Sequence, residues 1–229
     1  MKTPTKQERR LEVTACEALS PDRGNFNQRC QLPYGLKTID VQLAMTAWSE
    51  FLAFVNLRLY ERGTPRLETM LMPANFSSMV GEFMTSNIPK FCRKLVKNTY
   101  HNGHPDMLPA GQFAEDAAQH ATEGIEVKAS RYLRGWQGHN PEDVWLMVFS
   151  FESGRPNDEQ KKLAPRPFRF LQVACARLEM SDWLFAGRTG TSRRTITASV
   201  TPSGHAKMMR NWIYKVPDLV EDSSASLEE

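Results

Sequence analysis

Long apolar runs are missing from this 229-residue chain. The richest, Val144–Phe151, is strand-sized and well short of the roughly 20 residues a membrane-spanning helix needs. Met1–Arg10 is charged, with no apolar segment behind it, so no secretory leader is read there and no membrane partner is expected. Cysteine is sparse. Cys16, Cys30, Cys92 and Cys175 are widely scattered with no C-x-x-C pair. That argues against a disulfide framework or zinc knuckle, and for reduced thiols in the cytoplasm. The sequence has no P-loop G-K-[ST], no Rossmann glycine fingerprint, no internal repeat and no Ser-His-Asp or Cys-His set. His101 and His104 stand three apart in a turn without the partner cluster a zinc site needs; His104 is notable only for its place beside Asp106.

One-signed charge also looks scarce, since the formal net charge is only +3. Its distribution is uneven. Residues 161–215 hold eleven Lys or Arg against Glu179 and Asp182, a net of +9. Residues 1–160 are nearly neutral at −1, and residues 216–229 carry −5. About a quarter of the chain is therefore basic enough to favour a polyanionic partner, and the acidic end, read as a flexible tail over 218–229, masks it. One domain is expected over 1–217, with an N-terminal helical part (1–75) and a core at about 76–216.

Periodicity predicts helices first and strands later. Arg9–Leu19 reads as a short helix and Val41–Tyr60 as a long one. Leu43, Ala47, Phe51, Phe54, Val55 and Leu59 recur on one face of the long helix, and Trp48, Phe51, Phe54 and Tyr60 are expected in the core. A further helix runs from Ser77 to about Met84 and resumes through Pro89–Lys97, with Phe76, Met79, Val80 and Phe83 inward. Thr122–Ser130 alternates like a half-buried strand, and Val144–Glu152 is apolar enough for a central one. Phe168–Leu178 is ambiguous, Thr195–Val200 reads as a strand, Pro202–Met209 as a helix start, and Trp212–Val216 closes the ordered part. The fold class is α/β, with a mixed central sheet flanked by helices.

The chemistry-bearing segment is Gly124-Ile125-Glu126-Val127-Lys128. On a strand, Ile125 and Val127 share one face while Glu126 and Lys128 stand together on the other. A carboxylate is a hard ligand for Mg²⁺. A neighbouring ammonium can orient a water and offset charge on a phosphorane-like transition state. A second carboxylate is needed, and Asp106 follows Pro105 twenty positions before Glu126. Asp116, in the long stretch between them, is a rival first ligand. An ordinary surface ion pair is the plainer account of Glu126 and Lys128.

In Pro105-Asp106 and Glu126-Val127-Lys128, followed by the apolar strand at Val144, the chain resembles the PD-(D/E)xK nuclease superfamily, which includes most type II restriction endonucleases. The resemblance implies a restriction-endonuclease-like core, Asp106 and Glu126 as Mg²⁺ ligands, Lys128 as water activator, and Glu82 on the preceding helix near the metal. It also implies Mg²⁺-dependent hydrolysis of double-stranded DNA by a homodimer, for which the long helix is the candidate interface. Two loops suit DNA contact: Arg131, Arg134, Gln137, His139 and Asn140 in one, and Arg188, Ser192, Arg193 and Arg194 in the other. The same catalytic set would serve a repair-type nuclease. A non-catalytic DNA-binding or interaction module is the contrasting alternative.

Overall fold

The computed structural model describes residues 5–138, 140–186, 197–217 and 219. Helix α1, Lys6–Cys16, starts earlier than its apolar spacing suggests because Thr5 and Glu8 form a reciprocal capping box. Leu19 lies beyond the helix, where its amide donates to the Phe168 carbonyl. Helix α2, Thr38–Glu61, buries Trp48 as expected. The expected face is only partly right: Ala47, Val55, Leu59 and Tyr60 are half-buried, whereas Leu43, Phe51 and Phe54 are exposed, Phe54 at 62%. Apolar residues encircle much of α2, with Ile39 and Leu57 also exposed, so periodicity alone does not single out the inner face. Polar residues occupy part of that face because they have partners there. Ser49 Oγ donates to the Leu19 carbonyl at 3.0 Å. Asn56 donates to Glu68 and accepts the Leu67 amide, both at 2.9 Å, and so fixes the short helix α3, Leu67–Met70.

Helix α4, Pro73–Phe91, has Pro at its first position and runs unbroken to its end. Pro89 falls in its last turn, and the Cys92 amide still reaches the Ile88 carbonyl at 2.9 Å. Residues 95–97, expected in this helix, instead form strand β1, Leu95–Lys97.

Eight more strands follow: β2 Met107–Pro109, β3 Ile125–Ser130, β4 Gln137–Gly138, β5 Val144–Glu152, β6 Arg169–Leu178, β7 Trp183–Ala186, β8 Thr197–Val200 and β9 Trp212–Lys215. Helix α5, Pro202–Arg210, lies between the last two. A six-stranded mixed sheet has the order β1-β2-β3-β5-β6-β9, in which β3 and β5 run parallel and the other pairs antiparallel. The ambiguous segment at 168–178 is a strand from Arg169 to its end because β5 and β9 both pair with it.

Strand β5 is apolar on both faces because both are covered. Met147, Phe149 and Phe151 join Trp48, Phe76, Val80 and Ile88 in the larger core, under the α2–α4 layer. Val144, Leu146 and Val148 join Ala174, Ala176, Trp183 and Met208 in a second core. That second core is roofed by α5 and by a small sheet of order β4-β8-β7. Each large side chain so buried contributes about 2 kcal/mol.

Gly124 sets where β3 begins. Its φ is +137°, and a Cβ there would lie 2.3 Å from the Met107 carbonyl oxygen and 2.5 Å from Pro105 Cγ. Gly124→Ala is expected to destabilise the protein by about 3 kcal/mol through backbone strain and this clash. Urea unfolding measures it, and an unchanged midpoint would contradict this account of the junction.

Candidate active site

The two sides of β3 have different fates. Ile125 and Val127 join the larger core, while Glu126 and Lys128 alternate to the other side. Strand β2 touches β3 at a single register pair, Met107 with Ile125, and then departs. Beyond that point the Asp106 carboxylate substitutes for the missing ladder: its Oδ2 accepts the Val127 amide at 2.8 Å. Asp106 is fixed from behind as well, since its carbonyl accepts the Asn98 amide at 2.9 Å. Buried Asn98 donates to the Pro105 and Ala118 carbonyls at 3.0 and 2.7 Å and accepts the Tyr100 and Ala118 amides. One side chain thereby ties the loop ends around Asp106.

Helix α4 closes the site from the opposite side. It runs along the uncovered edge of β3 at Gly81, where a Cβ would make only ordinary contact, 3.9 Å from the Ala129 nitrogen and 4.0 Å from the Val127 oxygen. Between helix and strand opens a cleft of about 180 Å³. Ser77, Ser78, Gly81, Glu82 and Thr85 line one wall, and Asp106, Val127, Lys128 and Ala129 the other. Three of the four expected catalytic residues, Glu82, Asp106 and Lys128, therefore face one cavity, and Glu126 adjoins it through Asp106 and Lys128. Glu82 is the most exposed of the four and pairs with Lys97 at 2.9 Å.

Glu126 and Lys128 do form an ion pair, but not a surface one. Their side chains are only 11% and 29% exposed. Glu126 Oε1 receives the Lys128 ammonium, and its Oε2 lies 3.0 Å from His104 Nδ1. The other ring nitrogen, Nε2, is 2.5 Å from Glu142 Oε2. His104 also stacks on His120, with ring centroids 5.5 Å apart.

The charges in this cluster are strongly interdependent. Burial, and then the adjacent Glu126 carboxylate, push the Asp106 carboxyl well above the usual carboxylate range; the Val127 amide and Lys128 offset only part of this. Burial acts the same way on Glu126, but the His104 hydrogen bond and the Lys128 charge outweigh it and hold that carboxyl below the usual range. Burial would discharge Lys128, yet Glu126 in particular keeps its ammonium favoured. Burial also opposes the His104 charge, and the hydrogen bonds to Glu126 and Glu142 overcome it, raising His104 to about 9.

No protein-family model matches this chain, and no curated protein matches it. The case for a site therefore rests on its own geometry.

Among the described residues no three or more His, Cys, Asp and Glu side chains are gathered into a metal cluster. The donor chemistry nonetheless fits a hard cation. Partial burial, and then the nearby Glu126 carboxylate, make half-buried Asp106 favour its proton. A divalent ion would replace that proton, and the cleft walls offer oxygen atoms and no thiolate.

The residues expected to contact DNA divide three ways. Arg131 must be corrected: its guanidinium lies 5.2 Å from the centroids of both the Phe76 and Phe151 rings. It donates to the Pro73 carbonyl, Ser153 Oγ and the Gly154 carbonyl. It ties the β3 exit to the start of α4 and the end of β5, and the two ring faces attract its positive charge. Arg134, Gln137 and Asn140 are exposed on the β3–β5 connection. His139, Arg188, Ser192, Arg193 and Arg194 lie outside the described residues. The rival ligand Asp116 does not line the cleft; its carbonyl accepts the Thr99 amide at 3.0 Å. Sequence reasoning missed Glu142, Asn98 and the α4 hydroxyls, and for Glu142, an isolated loop carboxylate, no sequence signal was available.

The raised His104 value has a consequence for stability without metal. A histidine that titrates near 6.5 unfolded and at about 9 folded stabilises the fold fully below pH 6.5. That contribution is lost as pH rises through about 9. Metal-free protein is thus expected to lose unfolding free energy between pH 6.5 and 9, with most of that slope removed in His104→Gln. Urea titrations across this range check it, and identical slopes in the two proteins would contradict it.

Proposed function

We propose that the chain is a Mg²⁺-dependent endodeoxyribonuclease with a restriction-endonuclease-like core, acting on double-stranded DNA as a type II restriction enzyme does. The observation that carries this reading is the convergence of Asp106 and Lys128 on one cleft wall, from segments about twenty residues apart, with Glu126 bound to Lys128 behind that wall and Asp106 held by the backbone amide of the residue between Glu126 and Lys128.

Asp106 and Glu126 would hold the ion. Bound Mg²⁺ would supply Lewis-acid polarisation of the scissile phosphate and a more acidic attacking water. Lys128, kept charged by Glu126 at the cleft wall, orients that water and offsets the charge that accumulates on the phosphoryl oxygens. The Ser77, Ser78 and Thr85 wall offers neutral hydrogen-bond donors to a phosphodiester without adding competing charge. The exposed Gln137 and Asn140 suit contact with a duplex, and the net +9 of residues 161–215 supplies long-range attraction. A two-fold homodimer belongs with this reading, since two-fold DNA sites suit two-fold proteins. The apolar stripe of Ile39, Leu43, Phe54 and Leu57 on α2 supports it.

Plasmid cleavage with Mg²⁺ tests the proposal. Wild type is expected to linearise or fragment a plasmid of diverse sequence, Glu126→Ala and Lys128→Ala to lose at least about 100-fold in rate, and Asp116→Ala to cut normally. An intact plasmid with wild type across Mg²⁺, Mn²⁺ and Co²⁺ would overturn it.

A further inference from the structure

His104 and Glu142 line no part of the cleft, yet they form a continuous chain into it. Glu142 sits just before β5, and its carbonyl is fixed by the Trp183 indole N–H at 2.9 Å. Its Oε2 is 2.5 Å from His104 Nε2. His104 Nδ1 is 3.0 Å from Glu126 Oε2. The imidazole is itself immobilised at the backbone. The His104 amide donates to the Gln119 carbonyl at 3.1 Å, and its carbonyl accepts the Ala121 amide at 2.9 Å.

A buried carboxylate with free rotamers would turn toward whichever cation is nearest, here the Lys128 ammonium alone. The ring nitrogen on the opposite oxygen removes that freedom. Glu126 is gripped from both sides, and its carboxylate plane stays beside Asp106.

We propose that His104 is a positioning residue for Glu126, oriented in turn by Glu142, so that the two form a carboxylate–imidazole–carboxylate relay that preorganises the ion site. The inference rests on the metal-dependent reading above and names residues which that reading does not require. Glu142 acts only through His104: its carboxylate fixes the ring, and the ring fixes Glu126. Outer-shell partners of this kind are worth about 10–100-fold in metal affinity when removed. Because the two residues act in series, their losses cannot multiply.

Calorimetric titration with Ca²⁺, which binds hard oxygen sites without demanding catalysis, measures the relay directly; circular dichroism establishes that each variant is folded. His104→Ala is expected to weaken Ca²⁺ binding about 10–100-fold. Glu142→Ala should weaken it by a smaller factor. Glu142→Gln, whose amide oxygen still accepts from the ring, should restore nearly all of that loss. The double variant His104→Ala/Glu142→Ala should bind no more weakly than His104→Ala alone. If His104→Ala does not fold, Glu142→Ala against Glu142→Gln decides the matter. Unchanged Ca²⁺ affinity in Glu142→Ala and His104→Ala, or losses that multiply in the double variant, would overturn the relay while leaving the metal site standing. Failure of the wild type to bind either Ca²⁺ or Mn²⁺ would overturn both.

Discussion

Two neighbouring carboxylates drawn away from water repel each other and lose hydration, and the surroundings of Asp106 and Glu126 answer both costs. In such a site both are hard to ionise without a cation beside them. The chain supplies part of the compensation. Lys128 and His104 take the two oxygens of Glu126, and the Val127 amide takes one of Asp106. What is left over appears as the raised affinity of Asp106 for a proton. Breaking one partner of such a buried arrangement is far more costly than its net worth as a stabilising interaction, so stability alone gives poor reason to keep it. A site that exchanges a proton for a divalent ion gives a better one.

The scaffold makes this arrangement out of an interrupted sheet. A fully paired β2 would have engaged the β3 edge and left no cleft. β2 instead departs after one register pair, and Asp106 occupies the vacated hydrogen-bonding position. Gly124 allows the close junction, Asn98 ties the loop around it, and α4 runs along the uncovered edge. The same strand thus anchors its even-numbered side chains in the ion cluster and its odd-numbered ones in the larger core. Motion of Glu126 is therefore resisted by the packing of Ile125 and Val127.

Much of this was legible from residue spacing alone. The alternation through Ile125–Lys128 placed the pair on one face, and the near-continuous apolar run in Val144–Glu152 announced a central strand. Spacing could not reveal that Glu126 is buried, because alternation distinguishes faces without saying what covers the polar one. It failed on α2 for a related reason: a helix apolar almost all round does not advertise its inner face, and Ser49 and Asn56 turn inward because backbone and side-chain partners await them. Arg131 was misread as a DNA contact because an arginine in a loop gives no sign of the two aromatic rings, from α4 and β5, that flank it. Glu142 reaches His104 only through the tertiary fold.

The most direct test of the central claim is an anomalous-difference map from a crystal of the full chain soaked in Mn²⁺. The account predicts a single strong peak between the Asp106 and Glu126 carboxylates, bonded to oxygen from each at about 2.1 Å, with Lys128 turned from Glu126 toward the cleft. A peak elsewhere on the chain, or bonding to Glu126 with Asp106 still on the Val127 amide and remote from the ion, would contradict it.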